Sequence, residues 1–181
     1  MEGGSQEGAF AFQIQGGWSI PLEEFREGGG GWQGEAGQGP NFGMGFTVPI
    51  PGPFGAYLGF GQRYFECDSS VCPESRNWIS TGFDVALRLV LGEGRVRSWL
   101  QGGLHTHRLE GRLLGPGGKG RRVTSDGGGG VEVGAGTLIS LGERTSLSPG
   151  VRYGWGEVPF PDRAAMDLRY LVLDLGILMG F

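Results

Sequence analysis

The sequence predicts an all-β fold in which eight antiparallel strands run up and down and close into a barrel. Three observations predict it. Period-two alternation of apolar and polar residues recurs eight times along the 181 residues, with almost no helical periodicity. The connections between these runs alternate long and short, as a meander gives when one rim carries loops and the other carries tight turns. Glycine makes up 40 residues of the chain, against a usual share of about 7%. It follows no collagen-like period and sits beside 11% aromatics, a composition that fits neither collagen nor a disordered chain.

The runs follow in order. Run 9–18 sets Phe10, Phe12, Ile14 and Trp18 against Gln13 and Gln15. After the long segment 19–40, run 41–48 sets Phe42, Met44, Phe46 and Val48 against Gly43 and Gly45. The turn "PIPGP" at 49–53 leads into run 54–65, with Phe54, Leu58, Phe60 and Tyr64 opposite Gly55, Gly59, Gly61 and Arg63. Segment 66–76 precedes run 77–91, where Phe83, Val85, Leu87 and Leu89 alternate with Asp84 and Arg88. The turn "GEG" at 92–94 opens run 95–107, with Val96, Leu100 and Leu104 opposite Arg97, Trp99, Gln101 and His105. Segment 108–129 precedes run 130–141, which sets Val131, Val133 and Ile139 against Glu132, Gly134 and Gly136. "GERT" at 142–145 turns into run 146–156, with Leu147, Val151, Tyr153 and Trp155 opposite Arg152. Pro149 cannot donate to a ladder, and its place near the short-turn rim is one where a bulge is tolerated. Segment 157–167 leads to the closing run 168–181, whose odd-numbered Leu171 to Phe181 face away from Asp174 and Gly176.

Every strand-centre charge therefore falls on one face, and two inside-out barrels share this pattern. A soluble barrel turning its polar face to water would be rich in Lys, Glu and Thr. Here that face is Gly and Arg, and among 15 basic residues only Lys119 is a lysine. On the apolar face Trp18, Tyr64 and Trp155 fall next to long loops, and Phe54 and Phe181 fall at the opposite ends. Two aromatic girdles flanking an aliphatic band are what a membrane-crossing sheet shows. The eleven residues Leu171 to Phe181 suffice to cross at a tilt. The reading is an eight-stranded antiparallel up-and-down transmembrane β-barrel, a single domain over 1–181 with a short N-terminal extension at 1–8. Its lumen is a polar network of Arg63, Asp84, Arg88, Arg97, Glu132, Arg152 and Asp174. A lumen of eight strands so filled leaves little room for solute, so a wide pore is not expected.

A net charge of −4 gives no sign of nucleic-acid binding. No run of about 18 apolar residues is present to make a membrane helix. "MEGGSQEG" lacks the basic and apolar regions of a signal peptide, so an exported chain would be in its mature form. Cys67 and Cys72, in "ECDSSVCPES", read as a loop disulfide in an oxidising compartment. No cofactor is expected. The segment 108–129 carries Arg108, Arg112, Lys119, Arg121 and Arg122 against Glu110 and Asp126; 19–40 carries Glu23, Glu24, Glu27 and Glu35 against Arg26. The basic segment is suited to lipopolysaccharide phosphates, to pairing with the acidic one, or simply to solvent.

The closing run, Asp174-Leu175-Gly176-Ile177-Leu178-Met179-Gly180-Phe181, resembles the C-terminal signal of bacterial outer-membrane β-barrels: a polar residue, glycine two on, a hydrophobic residue and an aromatic end. Asp174, Gly176, Met179 and Phe181 hold those positions. With the eight runs, the chain is similar to the small group that includes the OmpA membrane domain, OmpX and the opacity-like proteins. The resemblance implies the bacterial outer membrane, recognition by the barrel-assembly machinery, contact with outer-membrane lipids and lipopolysaccharide, and periplasmic termini. It leaves open a surface or larger-assembly protein partner. The group serves varied roles, so a structural or surface-interaction role through the long extracellular loops stands beside two alternatives. One is a soluble lipid-binding barrel. The other is a lipid-modifying enzyme similar to the lipid A deacylases, which use a His and a Ser two apart on a strand. Here His105 is followed by His107, and both have lumenal parity.

Overall fold

The computed structural model of the chain describes residues 10–22, 25–27, 33–34, 36–67, 77–114, 120–161 and 163–181. Its strands are β1 (Ala11–Pro21), β2 (Phe25–Glu27), β3 (Gln33–Gly34), β4 (Ala36–Gly37), β5 (Gly39–Pro49) and β6 (Phe54–Cys67). They continue as β7 (Asn77–Leu91), β8 (Val96–Leu114), β9 (Gly120–Thr124), β10 (Gly128–Ser140), β11 (Thr145–Phe160) and β12 (Arg163–Gly180). Eight long strands hydrogen-bond in the order β1-β5-β6-β7-β8-β10-β11-β12, and β12 returns antiparallel to β1, from Ala11↔Gly180 to Pro21↔Tyr170. Closure leaves this ring without an open edge. The short strands are additions at the long-loop end: β2 and β3 pair and β2 docks on β12, β4 extends β6, and β9 folds back on β8.

Glycines make the tight rim. Gly52, Gly92 and Gly94 take φ of 83°, 90° and 84°, a left-handed backbone that side chains resist. The two prolines of β11 behave differently from each other. At Pro149 the β10–β11 ladder is interrupted between Gly136↔Gly150 and Ile139↔Leu147, yet its register is unchanged, so no bulge forms there. The shift in β11 falls at the other end, between Val158 and Phe160 around Pro159.

The alternation sorts side chains as its parity requires. Phe10, Ile14, Trp18, Phe42, Met44, Leu58, Phe83, Leu100, Leu104, Leu173, Leu175 and Ile177 are exposed on the outer face. Gln13, Gln15, Arg63, Asp84, Arg88, Gln101, Glu132, Arg152 and Asp174 are buried inside. Toward the long loops this sign inverts. There the inward residues Phe65, Trp78, Leu109, Val123, Val158, Phe160, Met166 and Leu168 pack into one apolar core with Tyr170 and Val172. The outward residues are Glu66, Asn77, Arg108, Arg112, Glu157, Asp167 and Arg169, all exposed. The strands thus run beyond the apolar belt into a water-facing cap.

This corrects three loop expectations. Segment 19–40 holds the end of β1, the whole of β2, β3 and β4 and the start of β5. Segment 108–129 holds the end of β8, the whole of β9 and the start of β10, and segment 157–167 holds the end of β11 and the start of β12. Period two persists through these last two; their charged residues mark the outer face of a wet sheet. The extension 1–8 lies outside the described residues.

Candidate functional site

The polar interior is built in tiers from the short-turn rim upward. Trp99 of β8 fills the lower lumen and is buried. A Cβ at Gly136 or Gly150 would come within 2.7 or 2.5 Å of its ring, and one at Gly45 or Gly59 within 2.6 or 2.7 Å of Tyr57. Much of the glycine excess therefore makes slots for large rings. Arg88 lies across both, 4.8 Å from the Tyr57 centroid and 5.0 Å from Trp99. Its guanidinium donates to Gln101 Oε1 at 3.0 and 2.8 Å and to Gln13 Oε1 at 2.9 Å, and Gln13 donates to Gln15 at 2.8 Å.

Above it runs a chain of ion pairs. Arg152 Nε donates to Asp174 Oδ2 at 2.8 Å and its Nη1 to Glu132 Oε1 at 3.1 Å, while Arg63 Nη2 donates to Glu132 Oε2 at 2.8 Å. Asp84 is held more loosely, 3.6 Å from Arg63. Charges on five strands so satisfy one another in a buried interior, where an unpaired ion would cost several kcal/mol. Arg97 departs from the expected network. It has inward parity but sits half-exposed near the short-turn rim, with no ion pair among the described residues, because the carboxylates lie at higher tiers.

His105 stands in the ion-pair tier, directly across from Asp84 on β7 and from Gly130 on β10. His107 stands one step higher, 3.8 Å away between ring centroids. Its Nδ1 shares a hydrogen bond with Ser80 Oγ at 3.1 Å. Neither nitrogen of His105 has a hydrogen-bond partner among the described residues. Both rings are inside the barrel, 2% and 1% exposed, on the face away from the outer apolar belt. Tyr170 closes this tier with Arg63 stacked 5.0 Å from its ring centroid, and the apolar core seals the lumen above it.

Outside, Trp18, Trp155, Phe54 and Phe181 are exposed at the two ends of the aliphatic belt. Tyr64, half-buried, donates its hydroxyl to Gln62 Oε1 at 3.2 Å. In the closing run, Asp174 and Gly176 point inward, Met179 and Phe181 outward, and the Phe181 amide donates to the Phe10 carbonyl at 2.9 Å. Cys67 at the end of β6 is disulfide-bonded; Cys72 lies outside the described residues.

At the long-loop end β8 and β9 form a hairpin in which Arg112 is directly opposite Arg122. Like charges in that position repel. Glu110 offsets only one of them, bonded to Arg122 at 2.6 Å, so Arg108 and Arg112 present exposed guanidinium groups without an acid among the described residues. Lys119, Glu23, Glu24 and Glu35 lie outside the described residues.

Sequence reasoning identified the inward charges but not their pairing, the apolar cap, or the meeting of Asp84 with His105. The last was accessible in principle, since both have inward parity on consecutive runs joined by a three-residue turn, which fixes the register between them.

No protein-family model matches the sequence, and no curated protein matches it. Solved structures do. The chain superposes on the Neisserial surface protein NspA with a TM-score of 0.68 at 17% identity, covering 97% of this chain and 100% of that one. For OprG of Pseudomonas aeruginosa the TM-score is 0.59 at 11% identity, over 96% and 97% of the two chains. For Ail of Yersinia pestis, crystallised with the heparin analogue sucrose octasulfate, it is 0.52 at 13% identity, over 96% and 100%. The fold of this chain is that of the small bacterial outer-membrane β-barrel proteins.

Proposed function

We propose that the chain is an integral protein of a bacterial outer membrane that acts through its extracellular face, with the arginines of the β8–β9 hairpin as an anion-binding surface for the phosphates of lipopolysaccharide. One observation carries this reading. The interior is filled by paired side chains and sealed by an apolar core, whereas Arg108, Arg112 and Arg122 stand exposed just beyond the lipid-facing Leu104. Guanidinium groups at that height meet the phosphate layer of an outer leaflet and bind its oxygens bidentately. The sucrose octasulfate on Ail supports a polyanion as ligand, since that protein shares the fold. Insertion is assigned to the barrel-assembly machinery, reading Asp174, Gly176, Met179 and Phe181.

The test has two stages. Protein folded into detergent should migrate faster on an SDS gel unboiled than boiled; a water-soluble, detergent-independent fold without that shift would overturn the membrane assignment. Folded protein in nanodiscs should then bind lipopolysaccharide micelles, weaken with rising salt, and lose roughly a hundredfold in affinity when Arg108, Arg112 and Arg122 are all changed to Ala, at about 1 kcal/mol each. Unchanged affinity in that variant would remove the hairpin from the function.

A further inference from the structure

We propose that the upper lumen contains a transition-metal site, with Asp84, His105 and Glu132 as ligands to a divalent ion of the zinc class. It is independent of the surface role above. One donor atom from each of these three residues lies within 4.8 Å of the others, and all three side chains are buried. They come from three adjacent strands: Asp84 on β7 faces His105 on β8, and Glu132 lies two residues beyond Gly130, the β10 partner of His105. The backbone ladder, rather than a loop, therefore fixes their spacing, as a preorganised site requires.

Two of the three ligands also keep donor atoms free of hydrogen bonds. His105 is 2% exposed, yet both its ring nitrogens lack a hydrogen-bond partner among the described residues, as does Asp84 Oδ1. Two ring nitrogens without any hydrogen bond, beside a carboxylate oxygen whose nearest cation is 3.6 Å away, are costly in a closed interior without something between them. A Cβ at Gly130 would come within 2.5 Å of His105 Nε2, so glycine there is what admits the ring to this tier. An imidazole with two carboxylates selects a borderline ion such as Zn²⁺ over Ca²⁺ or Mg²⁺, which take more oxygens. Tetrahedral zinc with bonds of about 2.0–2.2 Å places donors roughly 3.3–3.6 Å apart, so binding draws the three side chains together by up to about 1.5 Å. Arg152 holds the other Glu132 oxygen at 3.1 Å and orients that ligand. Arg63 opposes the ion, because its Nη2 occupies Glu132 Oε2 at 2.8 Å and approaches Asp84 at 3.6 Å. Binding must displace that guanidinium, which gives the site a signature that a surface site lacks: removing a positive charge should tighten it.

The experiment is to fold the protein into detergent with Zn²⁺ present, pass it through a desalting column with a chelator, and measure retained zinc. About one equivalent per chain is expected, falling to background in His105→Ala and in Asp84→Asn, while Arg63→Gln should hold zinc at least tenfold more tightly in chelator competition. Co²⁺ in the wild-type protein should show the intense visible bands of a four-coordinate site, a readout that stands even where a variant does not fold. Zinc retained equally by His105→Ala would mean adventitious binding elsewhere. No retained zinc, a six-coordinate Co²⁺ spectrum, or no gain in Arg63→Gln would each overturn the site.

Discussion

The barrel below Tyr170 and the cap above it are built from the same strands and are chemical opposites. In β12 the lower half turns Leu173, Leu175 and Ile177 outward and Asp174 inward; the upper half turns Asp167 and Arg169 outward and Met166 and Leu168 inward. Parity never slips across the change. What differs is the medium outside, and so what each face must bury. Period two is thus a property of the strand, and the polarity assigned to each face reports whether lipid or water surrounds that height.

Six substitutions in four tests sharpen or break this comparison, and each is read as the shift in denaturant midpoint of the protein folded in lipid. The largest effect belongs to the polar interior. Glu132→Ala deprives Arg63 and Arg152 of their shared carboxylate and should cost about 3–5 kcal/mol; a loss below about 1 kcal/mol would mean that water, not protein, solvates the lumen. Next comes the outer face of β12. Leu175→Arg should cost about 2–4 kcal/mol at the height of the hydrocarbon, whereas Asp167→Arg on the same face should stay within about 0.5 kcal/mol. Equal costs would erase the boundary between barrel and cap. Gly136→Ala, pressed against Trp99, should destabilise by about 1–3 kcal/mol, while Gly129→Ala, where a Cβ meets only ordinary contact, should be nearly silent. Smallest is Arg122→Ala: breaking its exposed bond to Glu110 should change stability by about 0.2–1 kcal/mol, whereas the proposed surface role expects the same change to weaken lipopolysaccharide binding.

Much of this architecture was legible in the sequence because it rests on local rules. The outward positions from Phe10 to Phe181 follow from alternation alone, and the tight rim follows from Gly52, Gly92 and Gly94. Three things were not legible. The ends of β8, β11 and β12 read as loops from the sequence because their charge and glycine resemble a connection, although Arg108/Leu109/Glu110 and Asp167/Leu168/Arg169 keep the period with reversed sign. The pairing of Arg63 on β6 with Glu132 on β10 spans the lumen between strands that are not neighbours, and no sequence distance encodes it. Arg97 falls outside the lumenal network because parity gives a face and not a height. The candidate site lay between these extremes: its residue types and face were visible, but their meeting at one level required the register.

The seam between β1 and β12 has a consequence for how such a molecule is made. Of the barrel strands, the one made last pairs both with its predecessor and with the first, from Ala11↔Gly180 to Pro21↔Tyr170. Every shorter product is an open sheet with two bare margins, and in hydrocarbon each unpaired amide on those margins carries a penalty with no solvent to relieve it. Biogenesis therefore has no stable halfway stage in the bilayer: the first strand must be kept sheltered until the last arrives, and the ring then locks in a single event.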